Sequence, residues 1–433
     1  MLTCFSRFLP SVRRFGANRR GDFAIMFGLM VPMLLIGTGM SISIVQITSA
    51  HSRLSNALDA ALTSTARDIT RGIIKEEDAE KTALVFLLAN AGGGSMPQDS
   101  IRFASFAVDK AKQTIIATAT GRAALAFPVF SLPGSQDVTA QSATLYSTNA
   151  VEVAMVLDVT GSMYGSKLNS LKTAAKNAVS SFMAMQSPGQ DRVRLAVIPY
   201  ATAVNTGSLS NVVFQERGPA DAGTAPGLAS PVGVSSAIDS CATERKGKDQ
   251  LSDASPYSSR INRDYRLWYC PTAALMPLTS NKGALTARIN SFTANGGTAG
   301  HIGVQWARYM LSPKWKDVLP ASAAPGAYGD ASVRKFAILM TDGEFNTAYA
   351  CLPGESGDCS ASYAKRLCAD MRKDGIEIFT VGFQLTTAAA RDVMQTCAST
   401  GGGKHYFETS SGSELDQAFQ DIAKAIERLT VTR

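Results

Sequence analysis

Histidine is scarce in this chain of 433 residues: His51, His301 and His405 lie far apart in unrelated settings. No C-x-x-C pair exists either, so a zinc cage of nitrogen and sulfur has little to draw on. No G-x-x-x-x-G-K-[ST] loop is present and no Ser/His/Asp arrangement stands out, so nothing points strongly to an enzyme. A basic stripe interleaved with aromatics is missing as well, which excludes the usual signature of nucleic-acid binding. The formal charge of +7 does not argue otherwise, because five arginines (Arg7, Arg13, Arg14, Arg19 and Arg20) fall in the first twenty residues. The rest of the chain is close to charge balance.

The longest absence of charge is "FAIMFGLMVPMLLIGTGMSISIVQI", Phe23 to Ile47. These 25 residues exceed the roughly 20 that cross a bilayer core. Arginines before the span and none close behind it predict a cytoplasmic N-terminus and an exported C-terminal bulk. A cleaved signal peptide is the alternative, but the run is longer than an h-region and no small-residue cleavage site follows it cleanly. Cysteine usage agrees with export. Cys4 precedes the span and six cysteines (241, 270, 351, 359, 368 and 397) follow it. An even number on the exported side suits disulfides. Six cysteines allow 15 pairings; proximity in the chain favours Cys241–Cys270, Cys351–Cys359 and Cys368–Cys397.

The chain divides into a basic N-terminus (1–21), a transmembrane helix (22–47), an exported region (48–148) and a larger domain (149–433). In the exported region Ala50, Leu54, Ala57, Leu58, Ala61, Leu62, Thr65 and Ile69 recur at three and four, which predicts an amphipathic helix continuing the span. That stripe packs on its own domain or associates with like helices. A helix near 76–90, a hairpin over 101–125 and a strand near 138–146 complete a small α+β region. From Val151 apolar strands alternate with helices, implying an α/β fold: a doubly wound, mostly parallel sheet covered on both faces. Residues 205–285, rich in Gly, Ser, Pro and Ala, break that rhythm as an insertion.

Three polar clusters fall where such sheets bind ligands, beyond the carboxyl ends of strands. They are Asp158, Thr160 and Ser162 after the strand "VEVAMVLD"; Thr298 in "NGGTAG", opening a helix; and Asp342 in "MTDGE", ending another strand. Any one alone could be a helix cap or a turn. Together they offer two carboxylates and three hydroxyls, a hard-oxygen donor set suited to Mg2+ or a similar ion. Carboxylates without a plausible general base speak against metal-assisted hydrolysis.

D158-x-T160-G-S162, G296-G297-T298 and T341-D342-G343 resemble the metal-ion-dependent adhesion site of von Willebrand factor A domains, whose Rossmann-like sheet the domain is then expected to share. The resemblance implies that Thr160, Ser162 and Thr298 contact a divalent ion (Mg2+, Mn2+ or Ca2+). Asp158 and Asp342 would act as charge partners, often through water, and an open position would accept an acidic oxygen from a partner. Thr160 stands where serine is commoner but keeps the hydroxyl.

"RRGDFAIMFGLMVP", "ALMPLTSNK", "LCADMRKDGIEIFTVGF" and "YFETSSGSELDQAFQDIAKAI" further resemble TadG-type proteins of tight-adherence (Flp) pilus assembly. That implies a single-pass bacterial inner-membrane protein with a periplasmic domain, no enzymatic activity, and pilus or envelope proteins as partners. Met26 stands where prepilin-type processing wants Glu five residues after Gly21, so an uncleaved anchor is expected. An envelope adhesin or mechanical protein sharing only the domain is the alternative. On this reading Asp158→Ala abolishes metal-dependent binding and leaves the fold intact.

Overall fold

A computed structural model describes residues 21–91, 96–126, 134–214, 240–263, 270–351, 355–401 and 403–431. Cys4, the N-terminal arginines and much of the 205–285 insertion lie outside the described residues. The chain forms two compact units, one of residues 1–69 and 74–146, the other of residues 70–73 and 147–433.

The first unit begins with helix α1, Gly21–Thr70. Among the described residues it is the one helix long and apolar enough to cross a membrane. Its first half leaves Leu29, Met33, Leu34 and Val45 largely exposed, a contiguous apolar surface that water would not tolerate cheaply. Hydroxyls on this stretch are satisfied within the helix. Thr38, Ser41, Ser43 and Thr48 donate to carbonyls four residues back at 2.7–3.0 Å, as a segment without water requires. The second half buries Ala50, Leu54, Ala57, Leu58, Ala61, Leu62 and Ile69 together with α2, Ala79–Ala91. They pack on one face of an antiparallel sheet, β1 (Arg102–Asp109), β2 (Thr114–Ala124) and β3 (Ser135–Leu145). The amphipathic stripe therefore packs within its own unit.

The second unit runs β4 (Ala150–Asp158), α3 (Ser166–Met183), β5 (Val193–Tyr200), β6 (Val204–Asn205), the single turn α4 (Ser210–Val213), β7 (Cys241–Ala242), β8 (Met276–Thr279), α5 (Lys282–Asn290) and α6 (Gly300–Leu311). It continues through β9 (Val333–Thr341), α7 (Ser356–Lys373), β10 (Ile376–Phe383), α8 (Ala388–Cys397), β11 (Tyr406–Thr409) and α9 (Gly412–Val431). The sheet order is β11-β10-β9-β4-β5-β6-β7, with β8 also on β5. Pairings from β11 to β5 are parallel; β6, β7 and β8 are antiparallel. The insertion thus contributes strands to the sheet, which a composition rich in Gly, Ser and Pro concealed. Alternation along β4 splits the core: Val151, Val153, Met155 and Leu157 face α3, α5 and α9, while Ala154 and Val156 face α6, α7 and α8.

Helix α6 is buried along its whole length. Its sequence, GHIGVQWARYML, places His301, Gln305 and Arg308 on one polar stripe, and residues 244–254 of the insertion cover that side. Gln305 donates to the Ser252 carbonyl at 3.0 Å and Arg308 to that of Leu251 at 2.8 Å. Asp253 is the anchor of this cover. Its carboxylate accepts from Ser312 (2.7 Å), Lys314 (2.7 Å) and Tyr328 (3.1 Å). Burial pushes its carboxyl up, but Lys314 and Ser312 outweigh that and hold it below the usual range. Asp253→Ala should cost about 2–3 kcal/mol, read as a lower urea midpoint at unchanged m. Because the folded pKa is depressed, the contribution is complete above about pH 4 and disappears as pH falls below it.

All six cysteines after α1 are paired, as Cys241–Cys270, Cys351–Cys359 and Cys368–Cys397. The last joins α7 to α8, with Cα atoms 5.1 Å apart.

Candidate metal centre

Strands β9, β4 and β5 are neighbours at the middle of the sheet, with β5, next in the chain, on one side of β4 and the later strand β9 on the other. Their carboxyl ends form the switch-point crevice where open α/β sheets place ligands. Asp158 closes β4, Tyr200 closes β5, and Asp342 follows Thr341 at the end of β9.

Asp158 is completely buried and all its acceptor capacity is used. Oδ1 accepts from the Thr160 backbone N–H (2.9 Å) and hydroxyl (2.6 Å). Oδ2 accepts from Thr341 Oγ1 (2.8 Å) and the Tyr200 hydroxyl (3.1 Å). Burial first, then the nearby charge of Asp342, pushes its carboxyl up to about 6 against these hydrogen bonds. Burial and Asp158 likewise push the Tyr200 phenol upward. Asp158 is therefore no detachable ligand. Alanine would strand the buried Thr160 N–H and turn the Thr160, Thr341 and Tyr200 hydroxyls to other acceptors, so Asp158→Ala is expected to lower stability as well as binding.

Two hydroxyls stand between this anchor and the second carboxylate, each giving its single proton to one of them. Thr160 Oγ1 lies 3.0 Å from Ser162 Oγ, which donates to Asp342 Oδ1 at 2.5 Å. The Lys167 ammonium, in the first turn of α3, reaches Asp342 Oδ2 at 2.8 Å. Four of the five oxygen-bearing residues expected from the sequence thus form one network. Thr298 sits on the adjoining loop, tied to the first by Gly161 N–H donating to the Gly296 carbonyl at 2.9 Å. Gly296 has φ +83°, a conformation glycine adopts without strain. The Thr298 backbone exchanges bonds with Asn346: its N–H donates to Oδ1 (2.8 Å) and its carbonyl accepts from the Asn346 N–H (2.9 Å).

Lys167, Tyr200 and Asn346 were not expected from the sequence as parts of this centre, and Thr341 stood in the T341-D342-G343 motif without an assigned role. Thr341 adjoins Asp342 and Lys167 sits one turn past Ser162, so both were within sight. Tyr200 and Asn346 reach the cluster through tertiary structure and carry no local signal.

Two further arrangements bear on chemistry. Among the described residues, no three of His, Cys, Asp and Glu gather as a metal cage. A Ser/His/Glu relay does form: Ser360 Oγ lies 2.8 Å from His301 Nδ1, and His301 Nε2 faces Glu244 Oε1 at 3.3 Å. All three residues are buried, and the cavity beside them, about 10 Å³, has room for a water at most. The relay ties the insertion, through Glu244, to α6 and α7.

The von Willebrand factor type A domain family matches residues 274–421. That stretch contains Thr298 and Asp342, and the sheet it belongs to continues through β4 and β5. No curated protein sequence matches the chain. Similar solved structures include the vWF domain of the type V pili tip protein Mfa5 from Porphyromonas gingivalis, at 15% identity and TM-score 0.39, covering 66% of this chain and 98% of that one. The pilus adhesin SpaC from Lactobacillus rhamnosus GG is similar at 14% identity and TM-score 0.37, covering 78% of this chain and 36% of that one. Proximal thread matrix protein 1 of the mussel byssus, with zinc in its MIDAS motif, is similar at 16% identity and TM-score 0.33, covering 64% of this chain and 46% of that one. The second unit of the chain has the α/β fold of a von Willebrand factor type A domain, with a mostly parallel sheet.

Proposed function

We propose that this chain is a membrane-anchored envelope protein that grips partner proteins through a divalent cation, and that it serves assembly of tight-adherence (Flp) pili in the bacterial inner membrane. The carrying observation is the set Asp158, Thr160, Ser162 and Asp342, in which each carboxylate accepts from one hydroxyl and the two hydroxyl oxygens lie 3.0 Å apart at the sheet's switch point. Its donors are all hard oxygens, which fit Mg2+, Mn2+ or Ca2+. Thr160, Ser162 and Thr298 would supply hydroxyl contacts, with Asp158 and Asp342 balancing the charge. When bound, the ion supplies a Lewis-acidic position for an acidic oxygen of the partner. Asp158 holds the first loop by its four accepted bonds; Asn346 holds the second.

The membrane reading draws on the exposed apolar half of α1 and its internally satisfied hydroxyls. Three disulfides favour an oxidising compartment outside the cytoplasm. Binding without chemistry on the partner is part of the proposal; among the described residues Ser360, His301 and Glu244 form a relay, and all three are buried. The role in pilus assembly rests on the sequence resemblance.

Crosslinking from envelope membranes, with and without chelator, tests the proposal. Partners should be captured with Mg2+ present, lost with EDTA and regained when Mg2+ is restored. Capture indifferent to chelation would remove the metal from the mechanism. Captured envelope proteins that include no pilus component would favour an adhesin unrelated to pili.

A further inference from the structure

Lys167 occupies an unusual position for a cation. It is the second residue of α3, where the helix dipole presents its positive end and disfavours a lysine. Yet its ammonium is turned inward onto Asp342 Oδ2 at 2.8 Å, with its side chain 26% exposed and that of Asp342 fully buried. The other Asp342 oxygen is held by Ser162. Asp158, the other carboxylate of the cluster, has every acceptor position filled by Thr160, Thr341 and Tyr200. Among the described residues, Lys167 is thus the one whose ammonium bonds a carboxylate of the cluster. It offsets one of two carboxylates and leaves the network one negative charge.

We propose that Lys167 is a built-in counter-cation of this centre: its ammonium holds Asp342 when no divalent ion is bound and competes with the ion for that carboxylate. The inference rests on the divalent-ion reading of the site. Two buried carboxylates without a cation repel each other, so an ion-free site would strain the loops that carry them. The tethered ammonium relieves that repulsion. An incoming ion must then displace the ammonium or bind beside a like charge, and either route weakens ion binding. Partial exposure of the lysine leaves it a path to swing toward water, which a buried lysine would lack. Affinity for the ion is therefore set below what the oxygen donors alone would give, so occupancy can follow the ion concentration.

Calorimetric titration of the full chain in detergent with MgCl2, freed first of metal by chelation, tests this. Lys167→Met removes the charge and keeps the stem; Lys167→Arg keeps the charge. Ser162→Ala removes a donor and controls for the site itself. The expected result is Mg2+ binding about tenfold tighter in Lys167→Met, near wild-type affinity in Lys167→Arg, and weakened binding in Ser162→Ala. The ion-free melting temperature of Lys167→Met should fall, and its rise on adding Mg2+ should exceed that of the wild type. Binding by Lys167→Met as weak as the wild type, or weaker, would make Lys167 a positioning residue for Asp342; it would overturn the competition while leaving the ion site standing. Binding by Lys167→Met where the wild type binds none would support the competition in its strongest form. Failure of both to bind Mg2+ would overturn the ion site and this inference together.

Discussion

Replacing Glu152 by glutamine should destabilise the α/β domain by about 3–5 kcal/mol, the usual cost of stripping one partner from a buried ion pair. Glu152 lies on β4 with its side chain fully buried, in register with Arg194 on β5 and Lys335 on β9. Both cations bond it at 2.5 Å, and the Gly326 N–H donates to it at 2.9 Å. One carboxylate therefore binds three central strands and the loop that precedes β9. Glutamine keeps the volume and one carbonyl acceptor, so no cavity forms, but two cations then share the interior without a counter-charge. The sign of the pH dependence is a second check. Burial already lowers the Lys335 pKa below its ordinary value, with Glu152 opposing. Without Glu152 the folded state favours neutral Lys335 still more. A base depressed on folding loses stability as pH falls, so the variant's deficit should narrow as pH rises toward about 10, the ordinary lysine range. Urea melts at pH 7 and pH 9.5 measure this; equal deficits at both would assign the loss to packing. Glu152 stands six residues from Asp158, roughly 20 Å along the strand, so divalent-ion binding should be unaltered.

Much of this fold was legible because its signals are local. The strands "VEVAMVLD", "VRLAVIPY", "KFAILMTD" and "IEIFTVGF" are apolar on both faces, which marks a parallel sheet covered twice. Leu168, Leu171, Ala175, Val179 and Phe182 announced the buried face of α3 by their spacing. The disulfides paired cysteines near in sequence, two of the pairs separated by 29 residues and one by 8. What escaped the sequence was long-range. Strand β8 is four residues inside an irregular stretch and is defined only by its antiparallel partner β5. Helix α6 looks like a core helix, but its cover comes from residues 244–254, whose composition reads as loop. Glu152 reads as an odd polar residue in an apolar strand until β5 and β9 place cations at its register. At the metal centre the oxygen donors were visible as motifs, whereas the anchoring hydroxyl of Tyr200 and the clamp of Asn346 depend on the fold.

The largest effect on binding is expected from Asp158→Asn, and the hydrogen bonds of Asp158 decide how it must be measured. Asparagine can keep its oxygen toward the Thr160 N–H and hydroxyl and turn its amide nitrogen to the Thr341 and Tyr200 hydroxyls. Those two must then accept and redirect their protons to the Gly343 and Met340 carbonyls, each 3.2 Å away. A loss of about 1 kcal/mol in the ion-free protein follows from exchanging charge-assisted bonds for longer neutral ones. Reduced partner binding by itself would therefore not separate a lost ion from a loosened loop. The separating quantity is the stabilisation that the ion provides. A ligand at 100 times its dissociation constant stabilises by about 2.7 kcal/mol, some 5 °C or more in the melting temperature of a domain this size. The wild type should show that rise with MgCl2. Asp158→Asn should show none, because removing the anchor's charge leaves Asp342, already engaged by Lys167, as the site's remaining carboxylate. If the variant melted lower yet gained the same rise as the wild type, Asp158 would be a structural cap of the first loop with no part in holding the ion. A flat response in the variant beside a rise in the wild type would tie the buried carboxylate to the ion itself, independently of what it contributes to the fold.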